Sequence, residues 1–214
     1  MGTRRSYKQV CGLAAALDVV GERWTMLIIR DLALGPRRYG ELLEGLPGIG
    51  EGLLAQRLRH LEQEDLARRT FSSELGAVVY ELTDEGRELW GAMLPLTSWG
   101  LRRVTALDED DDVRADWLAV ALRARLDPSR SVGINEQYVL CVDEEPYTIT
   151  SADGVVTVQR GDAAEAAVRI SLDLDTFMAI GMGSLSVQEA RAAGRTKVEG
   201  DKGAAGRYTA LLRT

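Results

Sequence analysis

The chain has 214 residues, of which 45% are hydrophobic and 28% charged, and its formal net charge is −7 at pH 7. This length suits two ordinary domains better than one, and no apolar run approaches the roughly 18 residues of a membrane span. Residues 1–105 contain 14 Lys or Arg and 14 Asp or Glu, whereas residues 106–214 contain 12 and 19. The negative net charge therefore does not exclude nucleic-acid binding by the first half, whose arginines can cluster on one face.

Hydrophobic periodicity in the first half predicts helices over residues 11–20, 24–34, 39–46 and 51–64. Gly35-Pro36 ends the second of these helices, because proline disfavours helical geometry in the residue before it. Residues 68–71 and 77–82 are predicted to form two strands joined by the polar turn 72–76. Thr83 is the predicted N-cap of a long helix over 84–104. Short helices, a hairpin and a trailing helix together make a winged helix.

An acidic run at residues 108–112 marks the predicted boundary between a domain over 1–107 and a domain over 108–214. The second domain is predicted to begin with a helix over 113–126. Strands at 132–142, 147–151, 154–160 and 167–173 follow, then helices at 174–182 and 186–193, a short strand near 196–198 and a final helix to 212. The predicted fold class is therefore α+β, a winged helix followed by an antiparallel sheet with packed helices.

The helix predicted over 51–64 has the pattern of a DNA-reading helix. Leu54, Leu58 and Leu61 recur at i, i+4 and i+7 and define its buried face. The opposite face carries Gly52, Gln56, Arg59 and Gln63. In the major groove Arg can pair with guanine and Gln with adenine, and Gly allows close backbone approach. An ordinary solvated face is the alternative, but the position between a turn and a hairpin favours a DNA reader.

Cationic side chains flank this helix on both sides. The predicted phosphate contacts are Arg37, Arg38, Arg57, His60, Arg68 and Arg69. Such contacts position a protein on double-stranded DNA without specifying sequence. The turn SSELG at residues 72–76 has few side chains that read bases, so we expect little sequence information from the wing.

The helix predicted over 84–104 carries more apolar surface than one small domain can cover. Packing against the helix over 11–20 of a second chain would bury this surface, which predicts a homodimer. The candidate dimerisation residues are Leu13, Leu17, Trp90, Leu94 and Trp99. An isologous dimer would present two reading helices to half-sites about 10–10.5 base pairs apart, or a multiple of that.

Three stretches carry a family resemblance: GERWTMLIIRDLALGPRRYGELLEGLPGI, LLAQRLRHLEQEDLARR and VVYELTDEGREL…TSWG. On these, residues 11–104 resemble the HxlR-type winged-helix regulators. The resemblance implies dimeric DNA binding and transcriptional control, usually of a nearby gene or of the regulator's own operon. The sequence departs from the family at two points. Gly50 stands where the family commonly has Ser or a similar N-cap, and the usual basic, proline-containing wing is shortened to SSELG.

The resemblance also makes Cys11 a candidate redox switch, since it aligns with a cysteine that some members use as a sensor. A sensing thiol must be exposed and activated by nearby cations, and Arg4, Arg5 and Lys8 are near in sequence. A buried or inert Cys11 is the alternative. Cys11 and Cys141 lie far apart and form no CxxC motif, which is typical of a reducing cytosol. We therefore expect a cytoplasmic protein with no membrane partner.

No catalytic set is evident in the second half. It has no His after His60, no Ser-His-Asp order and no Cys/His spacing for a metal. We predict no enzyme, no cofactor and no metal site. An enzyme built on carboxylates alone is the alternative.

The closing stretch ISLDLDTFMAIGMGSLSVQEARAAGRTKVEGDKGAAGRYTALLRT resembles sterol-carrier-protein-2-like (SCP2-like) domains in its order of elements. That fold encloses an apolar tunnel between sheet and helices, which holds lipids or other hydrophobic molecules. The resemblance implies a ligand pocket lined by Trp117, Leu118, Phe177, Met178, Ile180, Met182 and Leu185. Methionines repack readily around irregular guests. The alternative is that these residues fill a core without a ligand.

Three functional hypotheses follow. In the first, a small hydrophobic ligand in the second domain changes the DNA affinity of a transcriptional regulator. In the second, the chain is a lipid carrier or interaction protein that uses its winged helix for dimerisation. In the third, Cys11 is the switch of a redox-sensing regulator. The DNA-reading face and the arginines of the hairpin favour the first.

Overall fold

The computed structural model describes residues 6–104 and 114–212 of the chain. The chain divides into two compact units, Met1–Ala92 and Met93–Thr214. The acidic run at 108–112, and with it the predicted linker, lies outside the described residues. The boundary between domains over 1–107 and 108–214 therefore stays a prediction.

The first unit is a winged helix with the predicted order of elements. Its elements are α1 (Gly12–Val20), α2 (Thr25–Leu32), α3 (Tyr39–Gly45), α4 (Glu51–Gln63), β1 (Ala67–Ser72), β2 (Ala77–Leu82) and the first part of α5 (Asp84–Leu101). The strands β1 and β2 pair antiparallel, with Ala67 opposite Leu82. Leu54, Leu58 and Leu61 of α4 are fully buried, which confirms the buried face predicted from their spacing.

The start of α5 is held by a cap and by a close backbone approach. The Gly86 amide donates to Thr83 Oγ1 over 3.1 Å, which confirms Thr83 as the N-cap. The Thr83 hydroxyl in turn donates to the Asp65 carbonyl. At Gly86 the helix lies so close to the carbonyl of Leu66 that a Cβ atom would stand 2.0 Å from its oxygen. Only glycine fits this position without a shift of the backbone.

The second unit is a five-stranded sheet with packed helices. After the second part of α5 come α6 (Ala115–Arg125), β3 (Asn135–Val142), β4 (Glu145–Ala152), β5 (Val155–Arg160), β6 (Val168–Leu172), α7 (Leu174–Gly181), α8 (Val187–Ala192), β7 (Thr196–Gly200) and α9 (Lys202–Leu211). The strand order is β5-β4-β3-β6-β7. Asp153 and Gly154, at φ 43° and 89°, form the two-residue turn between β4 and β5. The predicted α+β fold class is confirmed.

The sheet is mixed, whereas the sequence predicts an antiparallel one. Strands β3 and β6 run parallel, with Tyr138 opposite Val168 and Val142 opposite Leu172. Two successive hairpins return the chain to the direction of β3. Residues 161–167 then carry it back to the starting end of that strand, where the Ala167 amide donates to the Gln137 carbonyl over 2.8 Å. Alternation within each strand does not reveal this return, so the sequence could not predict it.

The last helix is fixed to the sheet by both apolar and charged contacts. The rings of Tyr208 on α9 and Tyr138 on β3 lie 5.6 Å apart between centroids. The guanidinium of Arg207 donates to both carboxylate oxygens of Glu136, at 2.6 and 3.0 Å. These hydrogen bonds hold the pKa of Glu136 below its usual range.

Among the described residues, no helix combines the length and the apolar character that crossing a membrane requires.

Candidate functional site

Helix α4 presents the predicted DNA-reading side chains on one exposed face. Gly52, Gln56, Arg59 and Gln63 are all exposed, on the side opposite the buried leucines. A Cβ built on Gly52 meets nothing within 4 Å, so glycine here is not required by the fold. The structure therefore brings these four residues together as the sequence predicts.

A groove separates this face from the hairpin. It has a volume of about 470 Å³ and is lined by Tyr39, Arg59, Glu62, Arg69, Val78 and Tyr80. Arg69 and Tyr80 are opposite each other in the β1–β2 register, and the Tyr39 hydroxyl donates to the Glu51 carbonyl over 2.7 Å. Burial and the Glu62 carboxylate raise the pKa of Tyr80, so its hydroxyl stays a hydrogen-bond donor at neutral pH. The Arg69 guanidinium and the Tyr80 phenol in this open groove suit a DNA phosphate, while Arg59 at its edge belongs to the exposed face of α4.

The other predicted phosphate contacts of the hairpin region have partners of their own. Arg37 connects the start of α3 to the hairpin, because its amide donates to the Tyr80 carbonyl over 2.9 Å. Arg38 Nη2 donates to the Leu75 carbonyl over 2.8 Å and so holds the tip of the hairpin. Arg68 is exposed and pairs with Glu81 across the hairpin over 2.7 Å. Its guanidinium stands in an exposed ion pair, which a phosphate can replace at small free-energy cost.

Arg57 and His60 do not lie on the DNA-reading surface. The Arg57 side chain is 14% exposed and pairs with Glu22 over 3.0 Å. His60 Nε2 lies 2.8 Å from the Val19 carbonyl oxygen. Both residues point from α4 towards the segment 19–23, because their positions on the helix lie to one side of the row that contains Gln56 and Arg59. This corrects the sequence prediction, and neither belongs to the proposed interface.

The β1–β2 hairpin exposes a patch of apolar side chains. Phe71 is 66% exposed, and Val78, its partner in the register, is also exposed. Leu75 at the tip is a third exposed apolar residue. Sequence reasoning missed this surface. Period-two alternation could have found it, because Phe71 and Val78 share a face with Arg69 and Tyr80.

The candidate dimerisation residues differ in exposure. In the first unit Leu13 of α1 is 69% exposed, while Leu17 and Trp90 are half-buried. In the second unit Trp99 is 49% exposed with the Arg103 guanidinium 4.6 Å from its ring centre, and Leu94 is half-buried. Large apolar side chains thus remain open on both α1 and α5.

The two cysteines are in different environments. Cys11 is exposed and unpaired and directly precedes α1, whereas Cys141 is buried in β3. The Cys141 sulfur accepts from Arg169 Nη1 over 3.0 Å. Lys8 is exposed near Cys11 in the sequence, and Arg4 and Arg5 lie outside the described residues.

The second unit contains a cavity of about 470 Å³ between one face of the sheet and its helices. This volume is within the range of sites for small organic ligands. Its apolar lining includes Leu122, Leu140, Ile170, Leu172, Phe177, Ile180, Leu185, Val187 and Leu212. Its polar lining includes Arg125, Ser186, Gln188, Glu189, Thr196, Tyr208 and Thr209. The cavity is therefore mostly apolar with polar groups from α6, α8, β7 and α9.

The cavity includes some of the predicted pocket residues and leaves out others. Phe177, Ile180 and Leu185 line it, whereas Trp117, Leu118, Met178 and Met182 are not among its lining residues. On α6 the cavity lies one turn further on, at Leu122 and Arg125. On α7 the cavity is lined by residues 177, 180 and 181, which lie on one side of the helix. Residue 178 lies on another side and does not line the cavity. Met182 caps the end of α7 and is exposed. These four predictions are corrected.

The lining residues that sequence reasoning missed come from distant segments. Leu140 on β3 and Ile170 on β6 are direct neighbours in the register and share the cavity face. Arg125 and Tyr208 come from α6 and α9. Strand alternation indicates the face of each residue, but only the strand order shows that β3 and β6 are adjacent.

A short helix, a turn and an exposed reading helix beside a hairpin define the class of winged-helix DNA-binding proteins. Residues 19–108 match the family described as HxlR-like helix-turn-helix, and residues 121–213 match the SCP-2 sterol transfer family. The chain belongs to the HxlR-like helix-turn-helix family, and its second half is similar to the SCP-2 sterol transfer family.

Two relatives each match about 40% of the chain. An uncharacterised HTH-type transcriptional regulator of Mycobacterium tuberculosis is 44% identical over 86 residues, 40% of this chain and 54% of that protein. The chain thus spans about half the length of this relative. The HTH-type transcriptional regulator YodB of Bacillus subtilis is 35% identical over 88 residues, 41% of this chain and 79% of YodB.

Two solved structures are similar to part of the chain. The reduced form of YodB has 32% identity and a TM-score of 0.38 and covers 49% of this chain and 100% of its own. A stereoselective inverting sec-alkylsulfatase from Pseudomonas sp. has 26% identity and a TM-score of 0.38, covering 46% of this chain and 16% of the sulfatase.

Proposed function

We propose that this protein is a transcriptional regulator that binds DNA through α4 and whose DNA affinity changes when a small hydrophobic ligand occupies the cavity of the second unit. The observation that carries the proposal is the exposed row of Gly52, Gln56 and Arg59 beside the groove that contains Arg69. In the major groove this row reads base edges, while Arg69 and Arg68 contact phosphates.

Specific DNA binding is tested by titrating the chain with a duplex from its own upstream region and with a scrambled duplex of the same composition. Both titrations are run at several salt concentrations, because phosphate contacts make the affinity fall with ionic strength. We expect the upstream duplex to bind at least about a thousandfold more tightly than the scrambled one. Equal affinity for the two duplexes would contradict specific reading by α4.

We further propose that the protein is a homodimer in which α1 of one chain packs against α5 of the other. The exposed Leu13 on α1 and the exposed Leu96 and Trp99 on α5 support this arrangement, since burying such side chains stabilises association.

We expect Leu13→Glu to convert the dimer to a monomer, because burying an unpaired carboxylate in an apolar interface is strongly unfavourable. Val155→Glu is the matched control, because Val155 is a similarly exposed apolar residue on β5. Sedimentation velocity at micromolar concentration gives the oligomeric state of each variant. A wild-type monomer, or a Leu13→Glu variant that remains dimeric, would rule out this interface.

A redox-sensing regulator is the second candidate, because Cys11 is exposed and unpaired. Solved structures of YodB include quinone-bound and diamide-treated forms. If Cys11 is the switch here, an oxidant should release the wild-type chain from DNA and leave Cys11→Ser bound. An identical oxidant response in both chains would remove this candidate.

A further inference from the structure

The exposed apolar patch of the hairpin consists of Phe71, Leu75 and Val78, whose exposed fractions are 66%, 42% and 41%. Phe71 and Val78 are opposite each other in the β1–β2 register and share a face of the hairpin with Arg69. Val78 also lines the groove beside α4, together with Arg59. The patch therefore continues the proposed DNA-binding surface towards the tip of the hairpin.

The tip of the hairpin is held by hydrogen bonds at Leu75. The Leu75 amide donates to Ser72 Oγ over 3.2 Å, and the Leu75 carbonyl accepts from Arg38 Nη2 over 2.8 Å. A surface that is ordered before binding loses less conformational entropy when a partner covers it. The apolar patch is thus preorganised for contact.

The charges of the hairpin restrict which part of DNA the patch can contact. Residues 70–79 contain no Lys, Arg or His, and Glu74 is their only charged residue. This segment cannot neutralise phosphates, whereas Arg68 and Arg69 at the base of the hairpin can. The patch therefore suits the apolar parts of DNA, which are the sugars and the stacked bases inside the minor groove.

The spacing of residues along β1 fits the minor groove. Phe71 follows Arg69 by two residues, which corresponds to about 6.5 Å along a strand. The minor groove is about 6 Å wide. When Arg69 contacts a phosphate at the edge of this groove, Phe71 therefore reaches a base step inside it. Inserted Phe or Leu side chains partly unstack such a step and kink the duplex by about 20–90°.

We propose that Phe71 inserts as an apolar wedge into a base step of the minor groove next to the site read by α4, and that Leu75 and Val78 pack against the sugars around it. The proposal rests on DNA binding by α4, the first part of the proposed function. Unstacking costs least at flexible pyrimidine–purine steps such as TA. Phe71 thus determines specificity through the deformability of DNA, in addition to the base contacts of α4.

Bending is measured by resonance energy transfer between dyes at the two ends of the upstream duplex, with the full chain at saturating concentration. We expect the wild type to raise the transfer efficiency and Phe71→Ala to return it towards the value of the free duplex. Phe71→Leu is the matched control and should retain most of the bend, because leucine also inserts between base pairs. Thermal unfolding of both variants checks that the fold is retained, as expected for an exposed residue.

Affinity provides a second readout of the wedge. A TA step is introduced at each position of the upstream duplex in turn, with AA at the same position as the reference. We expect the wild type to prefer TA about tenfold at the position of the wedge, and Phe71→Ala to lose this preference. The slope of log affinity against log salt should be the same for both chains, because Phe71→Ala removes no phosphate contact.

Specific binding of the wild type without a bend would overturn the proposal. A Phe71→Ala variant with unchanged bend and affinity would overturn it as well and favour a protein partner for the patch. The absence of specific binding would contradict base reading by α4 and remove the wedge with it. The two failures are distinguishable, because an anisotropy titration reports specific binding whether or not the duplex bends.

Discussion

Replacing Arg59 with alanine is expected to weaken binding to the upstream duplex about tenfold to a hundredfold, the contribution of one bidentate contact with guanine. Arg59 lies in the middle of the exposed face of α4 and at the edge of the groove beside the hairpin. Because a base contact distinguishes sequences, affinity for a scrambled duplex should fall much less. Fluorescence anisotropy titrations of both duplexes at one salt concentration measure the two effects together.

Two further variants separate base reading by Arg59 from phosphate contact and from stability. Arg69→Ala removes a proposed phosphate contact, so it should weaken both duplexes equally and reduce the slope of log affinity against log salt by about 1. Arg57→Ala removes the pair with Glu22 and should reduce stability without changing the preference between duplexes. If Arg59→Ala weakens both duplexes equally, α4 does not read bases through this residue.

Gly86→Ala is expected to lower the free energy of unfolding by about 3 kcal/mol or more, the upper range for overpacking of a core. The added Cβ would stand 2.0 Å from the Leu66 carbonyl oxygen and 3.2 Å from Leu82 Cδ2. The first of these is a backbone atom, so relief requires α5 to move away from the end of α4. Denaturant unfolding of the full chain, followed by circular dichroism, measures the loss.

Gly91 provides a control on the same helix. A Cβ at Gly91 meets nothing within 4 Å, so Gly91→Ala should be neutral or stabilise the protein by about 0.5–1 kcal/mol through the higher helix propensity of alanine. Equal stability of the two variants would contradict the close approach of α5 to Leu66.

Local signals made most of the first unit predictable from its sequence. The spacing of Leu54, Leu58 and Leu61 determined which face of α4 is buried, and Thr83 determined where α5 begins. The parallel pairing of β3 and β6 has no such signal, because it depends on the path of residues 161–167 across the sheet. Helices and hairpins are encoded by neighbours in sequence, whereas strand order is encoded by packing of the whole unit.

The same difference between local signals and packing of the whole unit applies to the candidate sites. Helical periodicity placed Gln56 and Arg59 on one exposed face without knowledge of any neighbour. It could not show that Arg57 pairs with Glu22, because that contact depends on how α4 packs against the segment 19–23. Arg125 and Tyr208 were missed for the same reason, since the cavity brings together α6 and α9 from opposite ends of the second unit.

We expect a small hydrophobic ligand in the cavity of the second unit to change DNA binding by the first unit. This coupling is tested by titrating the full chain with its upstream duplex at fixed salt, with and without saturating decanoate as the small hydrophobic ligand. Linkage requires that the two binding events affect each other equally, and couplings of this kind are typically about 5- to 150-fold. We predict specific binding whose affinity changes within that range. Specific binding that is indifferent to decanoate would contradict ligand control, and the absence of specific binding would favour a carrier protein that uses its winged helix for dimerisation.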